Sequence, residues 1–181
     1  MANNWDLETE KNIFFWGGCF SNWYKVSINL PLFEDAQSET FNCVEQYMMA
    51  AKAHEFVDET ARLAIMKASN PKQQKALGRM VAPFDPDKWN NVARDRIYPA
   101  IYMKFNEHED LKKILLSTGK KIIAEASPFD RVWGIGMGWT EEGIDNPANW
   151  KGTNFLGEVI MRVRDHIEQG VDFSFKPQKW K

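Results

Sequence analysis

The sequence predicts a mainly α-helical domain carrying a few short strands, and three observations carry that expectation. Apolar residues recur at helical spacing, as in Val44, Tyr47, Met48 and Ala51. Capping signals stand before the periodic segments, at Asp58, Asn70-Pro71, Asp85-Pro86 and Asp110. Glycines stand after several of them, at Gly78, Gly119 and Gly170.

Taken in chain order, Ile13 to Phe33 is rich in aromatics, Gly and Pro. It reads as short strands and turns around Gly17-Gly18 and Leu30-Pro31. A helix is expected over Val44 to Phe56, and a second over Glu59 to Ala68 behind Asp58. Asn70 caps a third, with Pro71 in its first turn and Gln73 placed as in a capping box; it should stop near Leu77-Gly78. Trp89, Val92, Ala93 and Arg96 mark a fourth helix. Pro99 should break or kink it, because proline lacks an N–H and crowds the preceding turn, and a further segment follows over Ala100 to Phe105. Asp110 opens a helix over Leu111 to Thr118. Ile122 and Ile123 suggest a short strand. Leu156, Val159, Ile160, Val163 and Ile167 mark the last helix, and Asn154 stands where its N-cap would be. Between them, Ser127 to Thr153 has little periodicity and much Gly, Pro, Asp and Trp. A loop this long is usually functional. The expected organisation is an N-terminal extension over 1–12, one compact domain over 13–169, and an extended tail over 170–181.

At 181 residues, with 44% apolar residues, the chain can bury one sizeable core. The formal net charge of −2, from 23 basic and 25 acidic residues, gives no overall push toward nucleic acid or a membrane. Cys19 and Cys43 are too few for a disulfide framework and lack C-x-x-C spacing, which suits a reduced, cytoplasmic compartment. The first residues carry Asp6, Glu8 and Glu10 with no apolar stretch, so neither a signal peptide nor a membrane span is expected. Eight tryptophans and twelve phenylalanines are many for this length. Core packing accounts for most; those in turn-rich stretches are candidate stacking surfaces for a base.

The chemistry on offer is narrow. His54, His108 and His166 form no metal-spaced pair and have no neighbouring Cys, so no metal is expected. Neither a G-x-S-x-G elbow nor a phosphate-binding P-loop is present, and no cofactor is implied. Trp133 to Trp139 carries Gly134, Gly136 and Gly138, but the third glycine falls one residue early for a dinucleotide fingerprint. These glycines either make a plain turn or let backbone approach a ligand. On the first helix Glu45 and Lys52 lie seven residues apart, about two turns, and so project from one side. A solvated charged face explains such a pair as well as an acid/base carboxylate beside an amine. Asp130 reads as a turn former, and Arg79 as a helix-end cation or a phosphate contact.

Together these pieces say more than each alone. Phe20-Ser21-Asn22-Trp23, Glu45-Gln46-Tyr47-Met48 with Lys52-Ala53, Leu77-Gly78-Arg79, Trp89, Lys104-Phe105, Asp130-x-x-Trp133-Gly134-x-Gly136 and Asn154-x-Leu156-Gly157 follow one another in register. In that order and spacing the chain resembles the NADAR, or YbiA-like, family from about Phe14 to Arg164. The resemblance implies a compact YbiA-like helical fold and hydrolysis of a bond between ribose C1 and an exocyclic amine. It implies one of two partners: ADP-ribosylated guanine in a nucleotide or nucleic acid, or a phosphoribosyl-amine small molecule of riboflavin synthesis. The family's catalytic positions fall on Glu45, Trp89 and Asp130. A lysine nucleophile falls on Lys52 first and Lys104 second. Asn22, Arg79, Lys104, Trp133, Gly134, Gly136 and Asn154 fall on the substrate side. The stretch Trp139 to Trp150 is longer than compact members would have. A non-catalytic nucleotide reader would keep Trp133, Gly134 and Arg79 without needing Glu45 or an amine.

Overall fold

A computed structural model describes residues 4–173, Phe175 and Trp180. Much of the extended tail expected over 170–181 therefore lies outside the described residues. Helices dominate, with a few short strands, as predicted. The chain divides into two compact units, Met1–Tyr24 with Phe105–Asp172, and Lys25–Lys104 with Phe173–Lys181.

In the unit formed by the two ends of the chain, β1 (Leu7–Glu8) pairs antiparallel with β2 (Asn12–Phe15). The strand at Ile122–Glu125 lies parallel to β2, with Ile13 opposite Ile123. β1, inside the expected N-terminal extension, is thus the edge of this three-stranded sheet. Phe14, Ala124 and Ala126 from the sheet pack with Ile135, Met137 and Ile144 from the long loop. The loop is thereby part of a core. Two polar links tie its far end to the sheet: Thr9 Oγ1 donates to Asp145 Oδ1 at 2.6 Å, and Asn12 Nδ2 donates to Asp145 O at 2.9 Å. The helices of this unit are Glu109–Ser117 and Phe155–Gln169. The first begins one residue before Asp110 with His108 at the N-cap position.

In the central unit, strands Ile28–Pro31 and Ser38–Phe41 form an antiparallel ribbon. The second strand has no alternating apolar pattern and was not expected. Helix α1 (Val44–Glu55) follows, then α2 (Glu59–Lys67), α3 (Pro71–Arg79) and α4 (Pro86–Asn106), whose last two residues belong to the other unit. Asp58 caps α2 by accepting from Ala61 N, and Asn70 caps α3 by accepting from Gln73 N, both as the sequence indicates. Helix α1 is buried from Val44 to Ala53 because α2, α3 and the second ribbon strand surround it. Pro99 does not end its helix: α4 runs through it without interruption. One lost hydrogen bond and a local clash are outweighed here by packing, since Ile97, Tyr98, Ala100 and Ile101 are all buried.

Candidate active site

Helix α1 presents Glu45 in its first turn and Lys52 in its last. Both are buried, Glu45 at 2% exposure and Lys52 at 9%, so the solvated-face reading fails for this pair. A carboxyl and an amine are not buried without compensation, because desolvation penalises the charged form of each. Their surroundings differ. Burial pushes the Cys43 thiol up, the negative charge of Glu45 pushes it further, and the positive charge of Lys104 pulls it back. Lys104 is itself only 1% exposed.

Lys52 sits in another microenvironment. Its Nζ donates to Gly78 O at 2.8 Å and lies 3.8 Å from the centre of the Phe84 ring. Burial lowers its pKa, and the neighbouring Arg79 charge lowers it further. The end of α3 comes this close to α1 because residue 78 has no side chain: a Cβ there would collide with the side chain of Met49. Arg79 itself is exposed, and Trp89 is buried in α4. Phe84 and Cys43 escaped the sequence reading. Phe84 lies in an aperiodic stretch, and Cys43 carried no spacing signal.

The remaining predicted residues belong to the other unit. Asn22 is 6% exposed, and its Oδ1 accepts no hydrogen bond from any described residue. Asp130 builds an Asx turn: its Oδ1 accepts from Val132 N at 3.0 Å and from Trp133 N at 2.8 Å. That leaves Oδ2 outside the turn. Gly134 and Gly136 are walls that the loop packs on itself. A Cβ on Gly134 would meet Glu125 O at 2.9 Å and Asp130 O at 3.0 Å, and Gly136 holds φ at +67° against Arg131 and Lys151. Trp133 packs edge-on against Phe155 at 6.1 Å. Asn154 stands at the N-cap position but makes no capping bond with its side chain, and it adopts a left-handed φ of +55°. Its side chain instead clamps the neighbouring strand, accepting from Glu125 N at 3.1 Å and donating to Ile123 O at 2.9 Å.

The structure thus buries Glu45 and Lys104, and sets Lys52 near the charge of Arg79. Asp130, Trp133, Gly134 and Gly136 share one loop, which Asn154 joins through its N–H to Gly134 O at 3.2 Å. Among the described residues, no cluster of His, Cys, Asp and Glu has the arrangement of a metal site, and no helix is long and apolar enough to cross a membrane.

Comparison with known proteins matches this architecture to one group. The NADAR domain model matches residues 14–168. N-glycosidase R617 of Acanthamoeba polyphaga mimivirus is 38% identical over 172 residues, covering 90% of this chain and all of that protein. The riboflavin biosynthesis protein PYRR of Zea mays is 32% identical over 160 residues, covering 83% of this chain and 23% of that one. The solution NMR structure of the Escherichia coli protein YbiA superposes with a TM-score of 0.69 at 25% identity, covering 91% of this chain and 89% of that one. The chain belongs to the NADAR family. Within it, the chain is an N-glycosidase, a hydrolase acting on N-glycosyl bonds.

Proposed function

We propose that the protein hydrolyses the bond between ribose C1 and an exocyclic amine, with ADP-ribose on guanine of a single-stranded nucleic acid as its substrate. The observation that carries this reading is Glu45, a carboxyl only 2% exposed in the first turn of α1. Cleaving an N-riboside requires a proton for the departing amine and stabilisation of developing positive charge at C1. Glu45 supplies the proton. The C1–N electron pair leaves with the amine, and C1 is taken either by water directly or by a lysine amine whose imine water then hydrolyses. Both routes consume one water and release the free base amine and the ribose hydroxyl. Asp130, with Oδ2 outside its turn, orients a ribose hydroxyl. Asn22 offers an acceptor oxygen to a donor on the substrate. Arg79 is the cation for a phosphate, and Trp89 and Trp133 are the aromatic residues assigned to the substrate. Gly134, Gly136 and Asn154 keep the loop in shape.

Glu45→Gln is isosteric and removes only the acid. It is expected to lower kcat on an N2-ADP-ribosylated guanine oligonucleotide by roughly 10²- to 10⁴-fold, the usual worth of a general acid. Its thermal melt should stay close to that of the parent. Product release measured by chromatography decides this, and undiminished turnover in the variant removes Glu45 from the reaction. A second reading, hydrolysis of ribosylamino-pyrimidine phosphates, is favoured by the likeness to the maize riboflavin protein. Both substrates assayed side by side, with Glu45→Gln as control, separate the two.

A further inference from the structure

The proposed substrate places a modified guanine within a strand, and the structure offers a surface for the base next to it. Trp16 directly follows the last residue of β2, and Phe129 lies four residues beyond the strand parallel to it. Segments leaving the same end of two adjacent parallel strands emerge side by side. The two rings accordingly meet, with centroids 6.3 Å apart and planes tilted by 47°. Neither ring is buried by this contact: Trp16 remains 51% exposed and Phe129 85% exposed. Nothing lies within 4 Å of where a Cβ on the adjacent Gly17 would sit.

Phe129 immediately precedes Asp130, the residue proposed to orient the ribose, and Arg131 on the other side is exposed. The Phe129 ring, almost wholly in water, leaves a large apolar face available for a ligand. The tilt and spacing leave no slot between the two rings for a flat ligand. Trp16 instead braces Phe129, whose outer face stays free. Two residues further along, the exposed Arg131 supplies a positive charge. An aromatic face with a cation two residues away suits a nucleobase and its phosphate, because every base has a π-face and stacking tolerates any sequence. Of the acidic groups nearby, Asp6 Oδ2 accepts from Trp16 N at 2.7 Å, and Asp130 holds its turn through Oδ1 with Oδ2 left for the ribose.

We infer that Phe129, braced by Trp16, is a stacking platform for the nucleobase flanking the modified guanine, so that the enzyme prefers a single strand to a free mononucleotide. This inference rests on the substrate proposed above. The test uses three substrates: the ADP-ribosylated mononucleotide, a short oligonucleotide with thymidines flanking the modified guanine, and the same oligonucleotide with abasic flanks. On the thymidine-flanked strand, Phe129→Ala should raise KM about tenfold with kcat unchanged, within the range of one lost base–aromatic stack. KM on the other two substrates should not move. Trp16→Ala should give a smaller rise on the same strand.

An unchanged KM on the flanked strand overturns the inference. So does an equal rise on all three substrates, which would make Phe129 a support of the loop or a contact of the ADP-ribose itself. Anisotropy of a labelled, unmodified oligothymidine gives a second readout that needs no turnover. If the parent enzyme cleaves none of the three substrates, the substrate reading fails. The platform then stands only if Phe129→Ala still weakens oligothymidine binding at least fivefold, and falls if it does not.

Discussion

Lys52 and Lys104 are both buried amines, and the chemistry asked of a nucleophile distinguishes them. An amine attacks only when neutral, so desolvation that lowers its pKa raises its reactive fraction at neutral pH. Lys52 meets that condition, since burial and the Arg79 charge both lower its pKa. Lys104 is the more deeply buried of the two, at 1% exposure against 9%. Borohydride reduction during turnover decides between them. With Lys52 as nucleophile, the trapped adduct disappears in Lys52→Ala and persists in Lys104→Ala; the reverse pattern moves the role to Lys104. The pH profile provides an independent check on Lys52. A nucleophilic amine with a lowered pKa gives a rate that rises as pH increases through that pKa, and the midpoint should lie below the ordinary lysine value of about 10.4. A trapped adduct lost in Lys52→Ala together with a rate whose rise is centred at or above the ordinary lysine value would contradict that coupling. Asn22 and Asp130 each retain an oxygen outside the internal hydrogen bonds described for them, as residues that bind a polar ligand require.

The contact between α1 and α3 carries an expectation about stability. Gly78 allows the helices to touch, and Met49 fills the space its missing side chain leaves. Gly78→Ala removes some helix-weakening flexibility but drives a methyl into Met49. It should destabilise the protein by about 1–3 kcal/mol, the usual cost of overpacking. Met49→Ala in the same chain should recover part of that loss, as a denaturant titration of the single and double variants would show. Gly78 illustrates what the sequence could and could not convey. Its position after a periodic run announced a helix end, and α3 does end there, but the tertiary reason for glycine depends on a partner 29 residues away and leaves no local trace. Helices with caps were legible because capping is local: Asp58 and Asn70 act as expected. Pro99 misled because a local penalty was set against burial that only the folded chain reveals. Asn154 does stand at the N-cap position of the last helix, but its side chain is diverted to Ile123 and Glu125 of the neighbouring strand. The family motifs identified Glu45 and Lys104 by register, whereas their burial emerged only from packing.

Net charge completes the account of how a nucleic-acid substrate would be held. A formal charge of −2 over 181 residues produces no broad positive field. Proteins that grip nucleic acid through its backbone neutralise many phosphates, and their affinity collapses with salt as counterions are released. The residues offered here for phosphate are few: Arg79 in one unit and Arg131 in the other, both exposed. Binding should therefore rest on stacking and on contacts to the modified nucleotide, with one or two phosphates neutralised. For a single strand each neutralised phosphate contributes a slope of about −0.7 in log affinity against log salt. Raising salt from 50 to 200 mM should then weaken kcat/KM on the oligonucleotide by only about three- to sevenfold. Removing the Arg131 charge, as Arg131→Gln, should flatten the slope by close to one phosphate while leaving the mononucleotide rate unchanged. A loss of a hundredfold or more across the same salt range would reveal a basic groove that neither the charge balance nor the exposed arginines suggest, and recognition would then depend on the strand's backbone more than on its bases.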